Sequence, residues 1–366
     1  KFAGQQGIWS NYVETHLLPR LNGFELLMAS YAMAHLQMDL LLTETGYKPT
    51  KDQRLRVYLT NSLEEYNPYV GQLPFAGAIA DEGNEADMIK RDSPVMCVIG
   101  NPPYSVSSNN KGRWIENLIL DYKKDLKEKS YNSLSDDYVK FIRYGQYYID
   151  KNKTGVLAYI SNNSFIDGLV FRQMRKSLLE SFDKIYILDL HGNAKKKELC
   201  ADGSADQNVF DIMQGVSINI FIKTGKKKEN KLGEIYHHDL RGKRNEKYEK
   251  LIGNSINTVE WNVLKPFNPN YFFTKKDFKE NVVYEIGFGI NELFKLNSSG
   301  IKTHRDHFVI DYNSNDLSNK VLFFYDLQIP QTEIERNLVL KKNRDWYRSG
   351  ARASTNLASA RLQLSA

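Results

Sequence analysis

The sequence predicts an α/β fold in which a parallel-rich sheet is closed by an antiparallel hairpin and followed by the start of a second domain. Two observations carry this. Short runs of β-forming residues alternate with segments whose apolar residues recur at helical spacing, the order expected of parallel strands joined by crossover helices. Beyond about Leu251 the alternation stops and the chain becomes rich in aromatic residues, Asn and Lys, so residues 1–250 and 251–366 are expected to form separate units.

The elements follow in order. Arg20 to Glu25 reads as a short strand ending in a carboxylate, and the apolar, alanine-rich segment Leu27 to Leu42 as a buried helix. Arg56 to Thr60 alternates and stops at Asn61-Ser62, which marks a second strand. After a polar, glycine-containing stretch from Gly71 to Asp92, Val95 to Ile99 is a continuous apolar run, the pattern of a strand covered on both faces. It leads into Gly100 and Asn101-Pro102-Pro103-Tyr104. Asn109 to Ser135 is polar and lysine-rich and reads as a mobile connection with a helical piece. Phe141, Ile142, Gly145, Tyr148 and Ile149 then fall at helical spacing ahead of a strand at Gly155 to Ser161. Phe171, Met174, Leu178 and Phe182 mark another amphipathic helix ahead of a strand at Lys184 to Leu190. Ser217 to Ile222 and Glu234 to Tyr236 flank the Gly225 to Lys228 turn, the pattern of a hairpin. Gly287 and Gly289, behind Val282 to Ile286, read as a turn, and Arg344 to Ala366 as helical.

Composition narrows the class. With 41% hydrophobic and 26% charged residues among 366, the chain can bury a sizeable core and is not of the disordered kind. No stretch is apolar enough to span a membrane. Lys1 to Gly7 contains no initiator Met and no signal-peptide layout, so it reads as an internal starting point. Two cysteines, Cys97 and Cys200, suggest neither a disulfide framework nor a zinc site, and a reducing cytoplasm is expected. A net charge of +6 is compatible with a polyanionic partner without requiring one. His237 and His238, adjacent on a strand, point to opposite faces, which argues against a shared metal; His35 reads as structural.

The element that carries chemistry is Asn101-Pro102-Pro103-Tyr104, at the carboxyl end of a strand, where open α/β sheets build their sites. The Asn101 side-chain oxygen and the Pro102 carbonyl supply two acceptors for the hydrogens of a planar NH₂ group. Prolines at 102 and 103 fix φ and hold that carbonyl rigidly, which suits a reaction governed by positioning and preorganised dipoles. Tyr104 offers a ring for stacking. Neither a metal nor a nucleophile is required. Read alone, the tetrapeptide is also compatible with a turn that merely ends a strand.

The sequence resembles the gamma-type adenine-specific DNA methyltransferases, most closely the methylase region of type ISP and related type II single-polypeptide restriction-modification enzymes. The resemblance runs from about Gly4 to Trp346. It is carried by Gly23 to Ala29, Tyr58 to Leu63, Ile99 to Tyr104, Ser161 to Phe165 and Ser299 to Thr303. It implies a Rossmann-like S-adenosylmethionine-dependent methyltransferase sheet, a base rotated out of double-stranded DNA, and methylation of the adenine exocyclic amine.

Residue by residue, the resemblance implies that Asn101 and Pro102 accept from the target amine, with Pro103 fixing the turn, and that Tyr104 and Phe210 stack on opposite faces of the base. It implies that Glu25 accepts the ribose hydroxyls of the cofactor and that Asn61, with Ser62 and Asn101, contacts the rest of it. By themselves Glu25 is equally a helix-start carboxylate, Asn61 a turn residue and Phe210 a core aromatic.

The cofactor loop that the family places between its first strand and first helix has no counterpart ahead of Glu25, so the catalytic domain, residues 1–250, is expected to be N-terminally incomplete. Residues 251–366 are expected to be a connector and the beginning of a DNA target-recognition region. Nuclease or translocase domains would lie elsewhere in a longer chain. Two other readings stay open: a fragment unable to bind cofactor, and a methyltransferase using the same tetrapeptide on a protein glutamine or on RNA. A cytosine-ring methylase needs a cysteine nucleophile, and Cys97 is expected inside a buried strand. The lysines at 195–197 and 226–228 are candidates for phosphate contact.

Overall fold

The computed structural model describes residues 6–51, 54–66, 77–104, 108–128, 130–228, 230–279, 284, 286–294 and 306–340. Ser299 to Thr303, Arg344 to Ala366, most of Val282 to Glu285 and part of the Gly71 to Asp92 stretch lie outside the described residues. The chain divides into two compact units, Lys1–Asp277 and Phe278–Ala366. Among the described residues no helix is long and apolar enough to cross a membrane.

The first unit contains two sheets. β1 (Gly23–Glu25) and β2 (Val57–Leu59) form a separate parallel pair, with Glu25 opposite Leu59. The main sheet has the order β3-β4-β6-β5-β7-β8, built from β3 (Cys97–Gly100), β4 (Gly155–Asn162), β5 (Lys184–His191), β6 (Val216–Lys223), β7 (Glu234–Asp239) and β8 (Asn262–Leu264). β3, β4, β5 and β7 share one direction, while β6 and β8 oppose it. This is the mixed, parallel-rich α/β sheet expected from the sequence.

One pairing differs from expectation. β6 and β7 do not form a hairpin, because β5 lies between them. β6 runs antiparallel to β4 from Gly155 opposite Lys223 to Asn162 opposite Val216, and its other edge pairs with β5. Both edges of this apolar strand are thereby satisfied, and β7 instead extends the sheet parallel to β5. The glycine and lysines at 225–228 serve a crossover rather than a tight turn.

Helices α4 (Arg113–Lys123), α5 (Asp137–Asn152) and α6 (Arg172–Ser181) cover one face of the main sheet. Ile119, Ile142, Ile149, Leu178, Leu157 and Ile187 meet in that core. The helical piece expected in the polar connection is α4, whose Ile115, Ile119 and Tyr122 are buried at helical spacing. Gly145 lets α5 approach β4, since a Cβ there would lie 2.4 Å from Leu157 Cδ1. The segment 251–277 contributes β8 and the buried Phe273 to this unit.

Two burial expectations are overturned. β3 stands at the sheet edge, and Ile99 is 79% exposed with Met96 and Cys97 also exposed. α2 (Met28–Glu44) has no buried residue, and Leu27 just ahead of it is 63% exposed. An apolar pattern reports what gains from burial; whether a covering surface is present is a matter of tertiary structure. β2 does find cover, because Tyr58 packs with Phe24 and with Ala86 and Ile89 of α3 (Gly77–Asp92).

Arg175 is fully buried and has no carboxylate partner at hydrogen-bond distance among the described residues. Its Nη1 donates to Phe165 O and Gly168 O at 2.7 and 2.8 Å, and Nε and Nη2 donate to Asn270 O at 2.9 and 2.7 Å. It joins α6, the turn after β4 and the chain near residue 270. Arg175→Met leaves these buried carbonyls without donors, and urea unfolding is expected to show a loss of about 2–3 kcal/mol. A loss below about 0.5 kcal/mol would contradict this bridging role.

The second unit has its own small core of Phe308, Phe324, Ile334, Leu338 and Leu340. The helix Ser314–Tyr325 is capped by Asn313, whose side chain accepts from Asn315 N, and Gln331–Asn337 follows. Gly287 N donates to Tyr284 O at 3.1 Å in a turn.

Candidate functional site

The tetrapeptide leaves β3 at the carboxyl end of the parallel pair β3 and β4. Asn101 is exposed and its side chain makes no hydrogen bond with the described residues, Pro102 is buried, Pro103 is exposed and Tyr104 is half-buried. Tyr104 packs on the sheet face opposite α4 to α6, in a cluster with Leu190, Val209, Val216 and Phe210. Its hydroxyl is buried without a partner, and burial pushes the phenol up to about 12, so Tyr104 is neutral over the whole working range of pH.

The structure brings Tyr104 and Phe210 together, with ring centroids 6.1 Å apart and planes inclined at 60°. These positions are separated by 105 residues of chain and meet only through the sheet. Two parallel rings holding a planar group between them need about 7 Å, twice a contact distance of about 3.5 Å. The tilted pair is therefore closed, and a ring must turn before a planar group can enter. An open cleft of about 520 Å³, within the range of small-ligand sites and lined by neither ring, shares Leu188, Ile218 and Leu251 with the same cluster.

The backbone around Phe210 is held firmly. Asn208 Oδ1 accepts from Phe210 N at 2.9 Å, while Asn208 Nδ2 donates to Gly192 O and Gln214 O at 3.0 and 2.6 Å. From α7 (Arg244–Gly253), Arg244 donates to Asn208 O and Phe210 O, Tyr248 Oη to Val209 O, and Lys247 Nζ to Leu190 O, Gln207 O and Asp206 Oδ2. Gly192, at φ +79°, allows the close approach: a Cβ there would lie 2.4 Å from Asn208 Cα. Opening the aromatic pair is accordingly a side-chain rotation over a fixed backbone. Sequence reasoning missed Asn208, Arg244, Lys247 and Tyr248. The Asx-turn spacing of Asn208 to Phe210 was a usable signal, but nothing in a polar helical segment marks Lys247 as fully buried.

Glu25 and Asn61 also come together, at the carboxyl ends of β1 and β2, where Thr60 N donates to Glu25 O at 2.8 Å. Glu25 Oε1 accepts from Leu26 N and Leu27 N, both at 2.9 Å, so this oxygen satisfies amides at the start of α2. Asn61 Oδ1 accepts from Leu63 N at 3.0 Å, and its Nδ2 donates to Glu64 and Asn110. Ser62 is half-buried beside it. Among the described residues no hydrogen bond or ring contact joins this pair to the Tyr104 and Phe210 pair. His35 Nε2 lies 3.2 Å from Val57 O, a structural contact.

The two lysine clusters differ. Lys195 to Lys197 are exposed. Lys227 instead donates to Leu179 O, Glu180 O and Phe182 O, capping the carboxyl end of α6, and burial lowers its pKa.

Residues 74–196 match the family of the Eco57I restriction-modification methylase, and residues 292–363 match the Type ISP C-terminal specificity domain. No curated protein matches the chain. Among solved structures, the DrdV–DNA complex superposes with a TM-score of 0.67 at 23% identity, over 95% of this chain and 36% of the other. The ATP-dependent Type ISP restriction-modification enzyme LlaBIII bound to DNA gives 0.66 at 24% identity, over 94% and 24%. A nuclease-deletion mutant of the Type ISP enzyme LlaGI with a DNA substrate mimic gives 0.62 at 20%, over 96% and 31%. At these identities the similarity is one of fold, and the chain spans only about a quarter to a third of the length of these structures. The described β3, the tetrapeptide and α4 to α6 all fall within the methylase match. The chain is thus similar over about a third of its length to the Eco57I restriction-modification methylase family and, toward its end, to the Type ISP C-terminal specificity domain.

Proposed function

We propose that this chain is the methyltransferase part of a DNA adenine methylase of a restriction-modification system. The observation that carries the reading is the pairing of Tyr104, at the end of the Asn-Pro-Pro-Tyr element, with Phe210 from a distant loop. The DNA complexes among the structures of similar fold support double-stranded DNA as the partner. Residues 1–250 form the catalytic part, and 251–366 the connector and beginning of target recognition.

Asn101 Oδ1 and the Pro102 carbonyl accept the two hydrogens of the adenine amine, which leaves the nitrogen lone pair less committed to the ring as the methyl arrives. Tyr104 and Phe210 turn from their tilted contact to lie on the two faces of the base. S-adenosylmethionine supplies the electrophilic methyl group. Glu25, with one oxygen held by backbone amides and the other carboxylate oxygen for ribose hydroxyls, fits that cofactor, as does the remaining acceptor capacity of Asn61 Oδ1. Ser62 and Asn101 complete the contacts.

A second reading rests on β3, which among the described residues pairs only with β4 and exposes Ile99 along with the apolar surface around α2. On that reading the chain holds the cofactor only after a further strand covers this edge. Calorimetric titration of the chain with S-adenosylmethionine separates the two. Transfer of labelled methyl to duplex DNA, but not to RNA or protein, is the expected result; preferential transfer to RNA or protein refutes the DNA assignment. Tyr104→Ala is further expected to abolish most of the fluorescence rise of 2-aminopurine at the target position, a stacking contribution of about 1–3 kcal/mol. An unchanged rise removes Tyr104 from that role.

A further inference from the structure

We propose that Asp189, His191 and Asp239 hold a divalent cation of the zinc type at the carboxyl ends of β5 and β7. Asp189 and Asp239 are directly opposite in the parallel register. The register of β5 with β6 shifts between Asp189 and His191, and His191 adopts φ +53°, uncommon for a non-glycine residue. One ligand atom from each of the three side chains lies within 4.8 Å of the others.

The partners of each atom favour a cation over a simple hydrogen-bonded network. Asp189 Oδ1 is committed to Asn163 Nδ2 and His191 N, at 2.9 and 3.0 Å. His191 Nε2 lies 2.8 Å from Asp239 Oδ1. Its Nδ1 is buried without a hydrogen bond, 3.7 Å from Asp189 Oδ2 and 3.5 Å from Glu198 Oε1. An independent sign comes from His237, fully buried, whose two ring nitrogens also have no hydrogen-bond partner among the described residues. Its Nδ1 points at the same group, 3.7 Å from Asp239 Oδ2. The His237 separation is long for a hydrogen bond but close to the edge of about 3.4 Å between ligands in a tetrahedron with bonds of about 2.0–2.2 Å, and His191 presents Nε2 to the same Asp239 carboxylate.

Charge points the same way. Asp189, Glu198 and Asp239 surround one imidazole with the Arg241 guanidinium near them, and the buried Asp189 carboxylate requires positive charge beside it. A mixed imidazole and carboxylate set without thiolate suits zinc better than magnesium or calcium. The cation ties together the carboxyl ends of β5 and β7, with Asp239 on the solvent side. Glu198 Oε2 accepts from Asn193 N at 2.8 Å, so the cation steadies the connection that leads to Asn208 and Phe210.

The test uses the 366-residue chain after dialysis against a chelator. Titration with zinc chloride should show one tight site per chain, and cobalt chloride should give visible d–d absorption. Asp239→Asn, which preserves shape at a half-exposed position, and His191→Gln should each weaken zinc binding at least about tenfold while far-UV circular dichroism is unchanged. Absence of zinc uptake overturns the proposal, as does equal affinity in parent and Asp239→Asn.

Discussion

Asn101→Ala is expected to lower methyl transfer to duplex DNA by about 10²–10³-fold, or about 2.7–4 kcal/mol, the loss typical of one preorganised hydrogen-bond partner in a transition state. The magnitude follows from what the side chain does and does not touch. Asn101 is exposed and makes no side-chain hydrogen bond with the described residues, so its removal leaves folding intact. Its oxygen acts only when an amine stands before it, and the loss falls on kcat, with KM for DNA little changed. Thermal unfolding within about 1 °C of the parent, together with transfer reduced by two orders of magnitude, is the expected pattern. Equal turnover in parent and variant removes Asn101 from the reaction.

Lys247→Met is expected to cost about 3–5 kcal/mol of folding stability, the largest structural effect of any single change considered. Lys247 and Asp206 form an ion pair at 2.9 Å with both side chains wholly buried, and the ammonium also donates to Leu190 O and Gln207 O. Removing the cation strands a carboxylate and two carbonyls away from water. Replacing both partners, Lys247→Met with Asp206→Leu, should recover part of the loss, because the stranded charge goes while Leu190 O, Gln207 O and Gly242 N, which donates to Asp206 Oδ1, stay unpaired. Denaturant unfolding of the two variants checks this. A single-variant loss under about 1 kcal/mol, or no recovery in the double variant, contradicts the account. Since the same lysine fixes the segment before Asn208, the single variant also frees the backbone beneath Phe210.

The candidate site was legible in pieces. Asn101 to Tyr104 announced itself by composition and by the apolar run before it, whereas Glu25 and Asn61 were singled out through the family resemblance. Phe210 was legible only through family resemblance, since a lone aromatic in a loop has no local signature. The clamp on Phe210 was not legible: Arg244, Lys247 and Tyr248 lie in a polar segment with no local signature, and their hydrogen bonds depend on β5 and the 207–210 loop meeting α7. Nor was the cluster at Asp189, His191 and Asp239, whose members come from two strands brought into register by β6 crossing between β4 and β5.

By itself the sequence determined most strands of the main sheet, the helices α2, α5 and α6 and the tetrapeptide that ends β3, because periodicity and turn chemistry act over a few residues. Helices α3 and α7 and strand β8 carried no such pattern. The order of the strands, the insertion of β5 between β6 and β7, and the exposure of β3 and α2 were decided only in three dimensions. Hydrogen-bonded edges choose partners across long stretches of chain, and an apolar surface is buried only where another element arrives to cover it.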